Sequence, residues 1–157
     1  MVFVTIGTQK YKFNRIIEYI NESNLKDVII QCGYTKCTCN SKIIKAMPFI
    51  KKEEIDKYII NSDFVISHGG ITILEILKLG KKVLVVPREK RYNEHINDHQ
   101  FELCEKLEKE GYLLVAKTKE DFLKKINKIK KFKPKKYLSN EKEFFDKLNG
   151  IIDMYIK

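Results

Sequence analysis

The segment SHGGITILEILKLG, residues 67–80, follows an apolar stretch, DFVI at 63–66, and continues into a run with helical periodicity. A strand that passes directly into an amphipathic helix is the repeating unit of α/β proteins. The corner between them carries a histidine and two adjacent glycines, with a threonine and a glutamate in the next turn. Unhindered amides at a helix start can bind an anion, and a carboxylate one turn later can accept both hydroxyls of a ribose. The segment therefore predicts a strand–helix unit with a site for the phosphates and ribose of a nucleotide at its corner.

A purely structural interpretation of the same residues is also available. Thr72 and Glu75 fit the S/T-x-x-E capping box, in which the two side chains satisfy the first amides of a helix. If Glu75 only caps the helix, it needs no ligand. A cap does not account for His68 or for the second glycine, Gly70, and the nucleotide site is therefore the favoured hypothesis.

The alternation of strand and helix extends over most of the chain. Short segments rich in valine and isoleucine are typical of buried parallel strands, and they lie at 2–6, 27–32, 43–50, 64–67, 82–87 and 112–116. Segments with apolar residues at helical spacing lie at 14–23, 52–62, 72–80, 97–111 and 119–131. The pattern predicts an α/β fold, a single Rossmann-like doubly wound parallel sheet over residues 1–131. A basic linker and a C-terminal amphipathic helix are predicted for 132–157.

Length and hydrophobicity restrict the class of protein. A chain of 157 residues is long enough for one sizeable core and too short for two comfortable domains. No apolar run approaches the ~20 residues that a membrane span needs, and the first residues, MVFVTIGTQ, lack the features of a signal peptide. We therefore expect a cytoplasmic protein.

Three of the four cysteines, Cys32, Cys37 and Cys39, lie close together, and Cys104 stands apart. The spacing C-x4-C-x-C has no second pair at the distance expected of a zinc finger, so no metal site is predicted. In a cytoplasmic protein these cysteines are expected to be free thiols.

The net charge of +10 is concentrated in one segment. Between Lys117 and Lys136 there are ten lysines against two acidic residues. Such a segment could face nucleic acid, anionic lipid headgroups or an acidic partner, or it could be the solvated face of one helix. No recognised RNA- or DNA-binding motif occurs in the sequence, so nucleic acid is not an expected partner.

Polar residues and glycines are concentrated where the predicted strands end. Ligands of open parallel sheets bind at the carboxyl ends of the strands. Four segments lie there: GTQK at 7–10, CGYTK at 32–36, SHGGIT at 67–72 and PREKRYNEHINDHQ at 87–100. Neither a G-x-G-x-x-G fingerprint nor a Walker A loop is present, which argues against a dinucleotide enzyme and against an NTPase.

The last of these segments contains His95 and His99, four residues apart with Asp98 between them. This spacing can bind zinc on a helix, but there is no H-E-x-x-H motif and no evident third ligand. Asn97 or Asp98 could simply cap the helix that follows. Asp, His and Gln side chains at a helix start also supply the paired donors and acceptors that sugar hydroxyls require.

Three segments taken together carry a family resemblance: VFVTIGTQKYKFNRII at 2–17, DFVISHGGITILEILKLGKKVLVVPR at 63–88 and NEHINDHQFELCEKL at 93–107. Over about residues 2–116 the chain resembles the small donor-binding subunits of split GT-B glycosyltransferases, the glycosyltransferase family 28 C-terminal-domain group. This group includes the dolichol-linked N-acetylglucosamine transferase and subunits that work in bacterial capsule and exopolysaccharide assembly. The resemblance implies the C-terminal half of a GT-B fold, a UDP-sugar donor and transfer of one sugar to a polyprenyl-diphosphate-linked acceptor, without a cofactor or metal.

The resemblance also implies roles for individual residues. Gly7 and Thr8 would line the diphosphate, and His68, Gly69, Gly70 and Thr72 would form the phosphate loop. Glu75 would hold the ribose hydroxyls, and the main chain near Phe49 and Ile50 would pair with uracil. Asp98, His99 and Gln100 would face the donor sugar, whereas Arg88 and His95 fall in a loop that borders the acceptor side.

A GT-B site lies between two Rossmann-like domains, and only one is predicted here. The resemblance therefore implies a separate membrane-associated subunit that binds the lipid-linked saccharide acceptor, and a peripheral location at the inner face of the membrane through that partner. The basic segment and the C-terminal helix are the candidate contacts. The general base of this hexosyltransferase would be His95 or His99, or would come from the partner. The alternative function is a non-catalytic nucleotide-sugar-binding subunit that enhances a separate transferase.

Overall fold

The fold is a parallel sheet with helices on both faces. The computed structural model describes residues 1–136 together with Asp146 and Gly150. The strands in this part of the chain are β1 Val2–Thr5, β2 Val28–Gln31, β3 Ile43–Met47, β4 Phe64–Ser67, β5 Val83–Val85 and β6 Leu114–Val115. The helices are α1 Asn14–Glu22, α2 Lys52–Asn61, α3 Thr72–Lys78, α4 His99–Lys109 and α5 Lys119–Lys131, with a 3₁₀ turn at Lys90–Tyr92. The predicted strands and helices of residues 1–131 are confirmed, and their ends shift by a few residues. Apart from Asp146 and Gly150, the C-terminal amphipathic helix predicted within 132–157 lies outside the described residues.

The strand order is β3-β2-β1-β4-β5-β6, and every pair of neighbouring strands is parallel. This is the strand order of the doubly wound Rossmann fold, so the predicted α/β architecture is confirmed. The order reverses between β1 and β4. The loops that leave the carboxyl ends of these two strands therefore diverge to opposite faces of the sheet, and a crevice opens between them.

Alternate side chains of each strand enter two separate apolar cores. Val2 and Val4 of β1 pack with α1 and α5 on one face, where Ile16, Ile20 and Phe122 are fully buried. On the other face, Phe3 of β1 packs with residues of α2, α3 and α4, including Ile59, Ile73, Leu74, Cys104 and Leu107. Both faces of the sheet are thus covered, which explains why the strands are continuous apolar runs.

The cysteines differ in part from the expectation. Cys32 and Cys37 form a disulfide in the loop after β2, with their Cα atoms 6.2 Å apart. The prediction of free thiols is wrong for this pair, because a turn in which Thr35 N donates to Cys32 O at 3.0 Å folds residue 37 back toward the strand end. Cys39 is free and exposed, and Cys104 is free and buried.

Two further properties concern metals and membranes. Among the described residues, no group of three or more histidine, cysteine, aspartate or glutamate side chains is placed to hold a metal ion. In the same part of the chain, no helix has the length and hydrophobicity that crossing a bilayer would require.

Candidate functional site

His68 is the centre of the corner between β4 and α3. It directly follows Ser67, the last residue of β4, and is only 5% exposed. A Cβ atom added to Gly7 would lie 2.8 Å from His68 Cε1, and one added to Gly70 would lie 2.4 Å from His68 Nε2. Neither position could carry a side chain without displacing the ring. The imidazole therefore fits between two glycines and joins the loop after β1 to the loop after β4, across the crevice.

Gly69 has a separate packing role. Its added Cβ would lie 2.7 Å from Gln100 Cβ and 3.0 Å from Cys104 Sγ, so this glycine lets α4 approach the corner closely. The Gln100 side chain is largely buried, and its Oε1 accepts a hydrogen bond from Arg88 N at 3.2 Å. Three segments that are far apart in sequence, the loops after β1 and β4 and the first turn of α4, thus meet at one place.

The start of α3 leaves main-chain donors open. Helix α3 begins at Thr72 with Ile71 in the N-cap position, and no side chain caps it. The capping box considered as the alternative interpretation of Thr72 and Glu75 is not formed. Within the described part of the chain, the amides of Gly70, Ile71 and Thr72 have no hydrogen-bond acceptor. These amides, beside two glycines without side chains, are available to an anion.

Glu75 lies next to the segment expected to bind the base. Its carboxylate is 40% exposed, and Oε1 lies 3.1 Å from Nζ of Lys52, the first residue of α2. Helix α2 starts at Lys52, two residues after Ile50. Phe49 is half exposed, and its ring contacts that of Tyr34 edge-on, with the ring centroids 5.3 Å apart. The predicted ribose and uracil contacts are therefore neighbours in space.

A buried glutamine that the sequence interpretation missed holds this edge of the sheet together. Gln31, at the end of β2, is 2% exposed. Its Nε2 donates to Gly7 O at 3.1 Å and to Pro48 O at 3.0 Å, and its Oε1 accepts from Thr5 Oγ1 at 2.9 Å. Gly7 has a φ of +78°, a conformation that favours glycine, and Thr8 beyond it is exposed. The signal available in the sequence was Gln31 itself, a polar residue at the end of an otherwise apolar strand.

The imidazole of His68 is neutral at neutral pH. Burial lowers its pKa to about 4, and the positive charge of Arg88 acts in the same direction, while the Thr5 main chain opposes both. Its Nδ1 is buried and makes no hydrogen bond of normal geometry within the described residues. His68 can therefore serve as a neutral hydrogen-bonding group but not as a cation that pairs with phosphate.

The residues expected at the sugar lie at the start of α4, and His95, expected on the acceptor side, lies in the loop just before it. His95 is half-buried: its Nδ1 lies 3.1 Å from Asn97 O, and its Nε2 lies 3.5 Å from Gln9 Nε2 in the loop after β1. His99, the first residue of α4, is exposed and its amide donates to Asn97 Oδ1 at 3.3 Å. Asp98 Oδ1 accepts from Lys90 N at 2.8 Å. Asn97 thus satisfies the first amide of α4 from the position before the N-cap, whereas Asp98 occupies the N-cap itself and its side chain makes no capping hydrogen bond.

Arg88 does not lie on the open surface of its loop. Its side chain is 1% exposed and donates only to main-chain carbonyls of the interior. Beside it, Arg15 forms a bidentate pair with Glu94, with Nη2–Oε2 and Nε–Oε1 distances of 2.7 Å and 3.0 Å. Arg88 thus connects the loop after β5 with the loop after β1, and Arg15 connects the loop after β5 with α1.

A cleft of about 790 Å³ adjoins the site at the same edge of the sheet. It lies between the first turns of α1 and α5 and the 3₁₀ turn, beside the glycine corner rather than over it. Six basic residues line it, Lys10, Lys12, Arg15, Arg91, Lys117 and Lys119, together with three acidic residues, Glu18, Glu94 and Glu120. Exposed tyrosines, Tyr11 and Tyr92, also line it.

The fold and the position of the site define a Rossmann-like α/β protein with a ligand crevice at its switch point. The chain belongs to glycosyltransferase family 28: the model of the family's C-terminal domain matches residues 1–153. The resemblance noted from the motifs is confirmed, and the chain corresponds to the C-terminal half of a GT-B-type transferase.

Several curated relatives are subunits of one transferase. The mouse (Mus musculus) protein "UDP-N-acetylglucosamine transferase subunit ALG13" is 31% identical over 124 residues, which are 71% of this chain and 10% of the mouse protein. The protein of the same name from Cryptococcus neoformans is 33% identical over 112 residues, covering 68% of this chain and 52% of the relative. The chain thus spans about a tenth of the mouse relative and about half of the fungal one.

A solved structure shares the fold. The solution NMR structure of ALG13 superposes with a TM-score of 0.64 at 19% identity, covering 99% of this chain and 96% of that chain. At this level of identity the likeness establishes the fold, and the family membership rests on the sequence matches.

Proposed function

We propose that this chain binds a UDP-sugar at the corner between β1 and β4 and acts as the donor-binding subunit of a hexosyltransferase. One observation carries the proposal. Open amides at Gly70 and Thr72, the carboxylate of Glu75 and the main chain at Phe49 and Ile50 occupy one continuous stretch of the carboxyl edge. A diphosphate, a ribose and a base need these groups in this order.

Each part of the donor has a proposed place. The diphosphate lies against the amides of Gly7, Gly70 and Thr72, with the neutral His68 ring behind it and Thr8 and Gly69 alongside. The ribose hydroxyls replace Lys52 as the partner of Glu75. Uracil pairs with the main chain of Phe49 and Ile50. The sugar lies toward Asp98, His99 and Gln100 at the start of α4.

The chemistry is a direct displacement at the anomeric carbon. Preorganised amides at the corner stabilise the negative charge that develops on the departing UDP. The acceptor hydroxyl needs a general base, for which His95 and His99 are the candidates in this chain. In the described structure neither imidazole contacts a carboxylate that would orient it, which favours a base contributed by a partner subunit.

The acceptor side requires a second protein. We propose a membrane-associated partner that presents a polyprenyl-diphosphate-linked saccharide, with the basic cleft between α1 and α5 facing the acceptor's phosphates. The names of the relatives favour UDP-N-acetylglucosamine as the first donor to test. The capsule or exopolysaccharide setting expected from the resemblance has no support among them. The location at the inner face of the membrane follows from the partner and is proposed with it.

A binding test of the isolated chain decides the proposal. We expect UDP and UDP-N-acetylglucosamine to bind in isothermal titration, and ADP to bind at least about tenfold more weakly because the base contacts are specific. Amide resonances of Gly7, Gly70 and Ile50 should shift on binding. The absence of UDP binding, or equal affinity for ADP, would defeat the proposal.

The non-catalytic alternative is separated by turnover of the assembled complex. If this chain holds the reacting donor, Glu75→Ala and His99→Ala should lower turnover with the partner present. If it only enhances a separate transferase, both variants should leave turnover near the wild-type value. Substantial transfer by the isolated chain would contradict the need for a partner.

A further inference from the structure

Arg88 is a buried cation without a carboxylate partner of its own. It is among the largest fully buried side chains, at 1% exposure. Its Nη2 donates to Ile6 O at 2.6 Å, and its Nη1 donates to Tyr11 O at 2.8 Å and Glu94 O at 3.1 Å. Its Nε is buried with no partner in the described residues. Burying a charge in this way is costly, and neutral donors could have satisfied the same carbonyls.

The neighbouring carboxylates do not neutralise this charge directly. The Glu94 side chain is held by Arg15 in a bidentate pair at 2.7 Å and 3.0 Å. Glu89 Oε1 lies 3.4 Å from Arg15 Nη1, and Glu89 Oε2 lies 2.5 Å from Arg91 Nε. Glu94 therefore contacts Arg88 through its main-chain oxygen, and each acid already has another arginine as its partner.

The contacts of Arg88 converge on the proposed donor site. Ile6 immediately precedes Gly7, and Glu94 immediately precedes His95. The Arg88 amide donates to Gln100 Oε1 at 3.2 Å, and Gln100 packs against Gly69. A single residue is thus bonded to the loop after β1, to the 94–95 segment and to the first turn of α4.

The charge of Arg88 also acts at the glycine corner. It is the second cause, after burial, of the low pKa of His68, whose ring lies between Gly7 and Gly70. A field that disfavours a cation at this corner favours an anion there, and low-dielectric surroundings strengthen it.

We propose that Arg88 is a positioning residue for the donor diphosphate: it holds the three loop segments of the site together and supplies a fixed positive charge beneath the glycine corner, without touching the ligand. This inference rests on the proposed UDP-sugar function. It differs from the acceptor-side role that the family resemblance implied for this arginine. A guanidinium that only tied loops together would have no preference for charged ligands.

The test compares UDP with uridine, which shares the base and ribose but carries no phosphate. Arg88→Met removes the charge at similar length, and Arg88→Lys retains it. Lys26→Met, at the opposite edge of the sheet, is the control for a lost positive charge. We expect Arg88→Met to weaken UDP binding about tenfold and uridine binding by less than about twofold, with Arg88→Lys and Lys26→Met near wild type.

Equal weakening of UDP and uridine by Arg88→Met, or no effect on either, would overturn the proposal. A wild-type chain that does not bind UDP would instead defeat the donor-binding function itself, so the two failures are distinguishable. If Arg88→Met does not fold, the Arg88 Nε–H resonance of the wild-type protein decides the matter. That resonance should shift when UDP is added and stay in place when uridine is added, and equal shifts would contradict the inference.

Discussion

Lys52 Nζ lies 3.1 Å from Glu75 Oε1, and this ion pair joins the first residue of α2 to the first turn of α3. Both side chains are substantially exposed, at 57% and 40%. Exposed pairs of this kind contribute only about 0–1 kcal/mol to stability. The Glu75 carboxylate can therefore exchange Lys52 for ribose hydroxyls at little cost to the fold.

The first prediction concerns Glu75. Glu75→Gln should weaken UDP binding about tenfold, because hydrogen bonds to a charged acceptor are worth roughly 1.5–3 kcal/mol. The free energy of unfolding should change by less than about 0.5 kcal/mol. Titration calorimetry with UDP and 2′-deoxy-UDP measures the effect, and the wild-type preference for UDP should be smaller in the variant, because glutamine retains one neutral acceptor oxygen. Lys52→Ala is the matched control and should leave UDP affinity unchanged or slightly higher. A Glu75→Gln variant that keeps the full wild-type preference for UDP would exclude the ribose contact.

The second prediction concerns the fit of His68 against Gly70. Gly70→Ala places a Cβ 2.4 Å from His68 Nε2, so the ring must move. We expect a loss of about 1–3 kcal/mol in urea unfolding. Combining it with His68→Ala, which empties the space, should recover about 1 kcal/mol relative to the sum of the single changes. Strictly additive losses would show that the two residues do not compete for one volume.

The third prediction is a pH dependence of stability. The folded-state pKa of His68 is lowered to about 4 by burial, below the unfolded value of 6.5, so the unfolded chain binds the proton first. The contribution of neutral His68 to the free energy of unfolding is fully present above pH 6.5 and is lost as the pH drops toward 4. The loss between pH 7 and pH 4.5 should be about 2.5 kcal/mol. Denaturant unfolding of the wild type and of His68→Gln at both pH values isolates the part of the stability loss that is due to His68. If the two proteins lose stability in parallel, His68 is not buried as a neutral group.

The fourth prediction concerns the thiols. Burial raises the pKa of the Cys104 thiol to about 12, and its thiolate is scarce at pH 8. Iodoacetamide should therefore label Cys39 alone in the native, oxidised protein. Reduction should add label first at Cys37, and Cys104 should react only in denaturant. Mass spectrometry of labelled peptides reads each site. Labelling of Cys37 without reductant would show that the disulfide with Cys32 does not form.

The fold was largely readable from the sequence because buried parallel strands leave continuous apolar runs. Segments such as 64–67 and 82–87 have no polar face, and their helical neighbours have a clear stripe. The strand order was not readable, since periodicity carries no information on which strands pair. The Cys32–Cys37 disulfide was also missed, because a turn within the loop and not the residue spacing brings the two sulfurs together.

The position of the candidate site residues in the fold was predictable where the main chain decides it. The corner at 67–72 and the nearby Glu75 lie at the carboxyl edge, as the position of the motif after a strand requires. Arg88 was assigned to the acceptor side from the family resemblance, and its burial depends on tertiary contacts with distant carbonyls that the sequence does not reveal. Gly69 and Gly70 were assigned to ligand approach. Their lack of a side chain also serves packing, because Gly70 makes room for the His68 ring and Gly69 makes room for α4.

The amide of Gln31 bridges the main chain at Gly7 and at Pro48. The first loop would meet a diphosphate, and the second leads into the residues that would meet uracil. Since one rigid donor group spans both, the two loops cannot drift apart independently. Binding of uridine at the nucleobase end should then raise the affinity of the phosphate end for pyrophosphate. The two ligands added together would therefore bind cooperatively, although they do not touch each other.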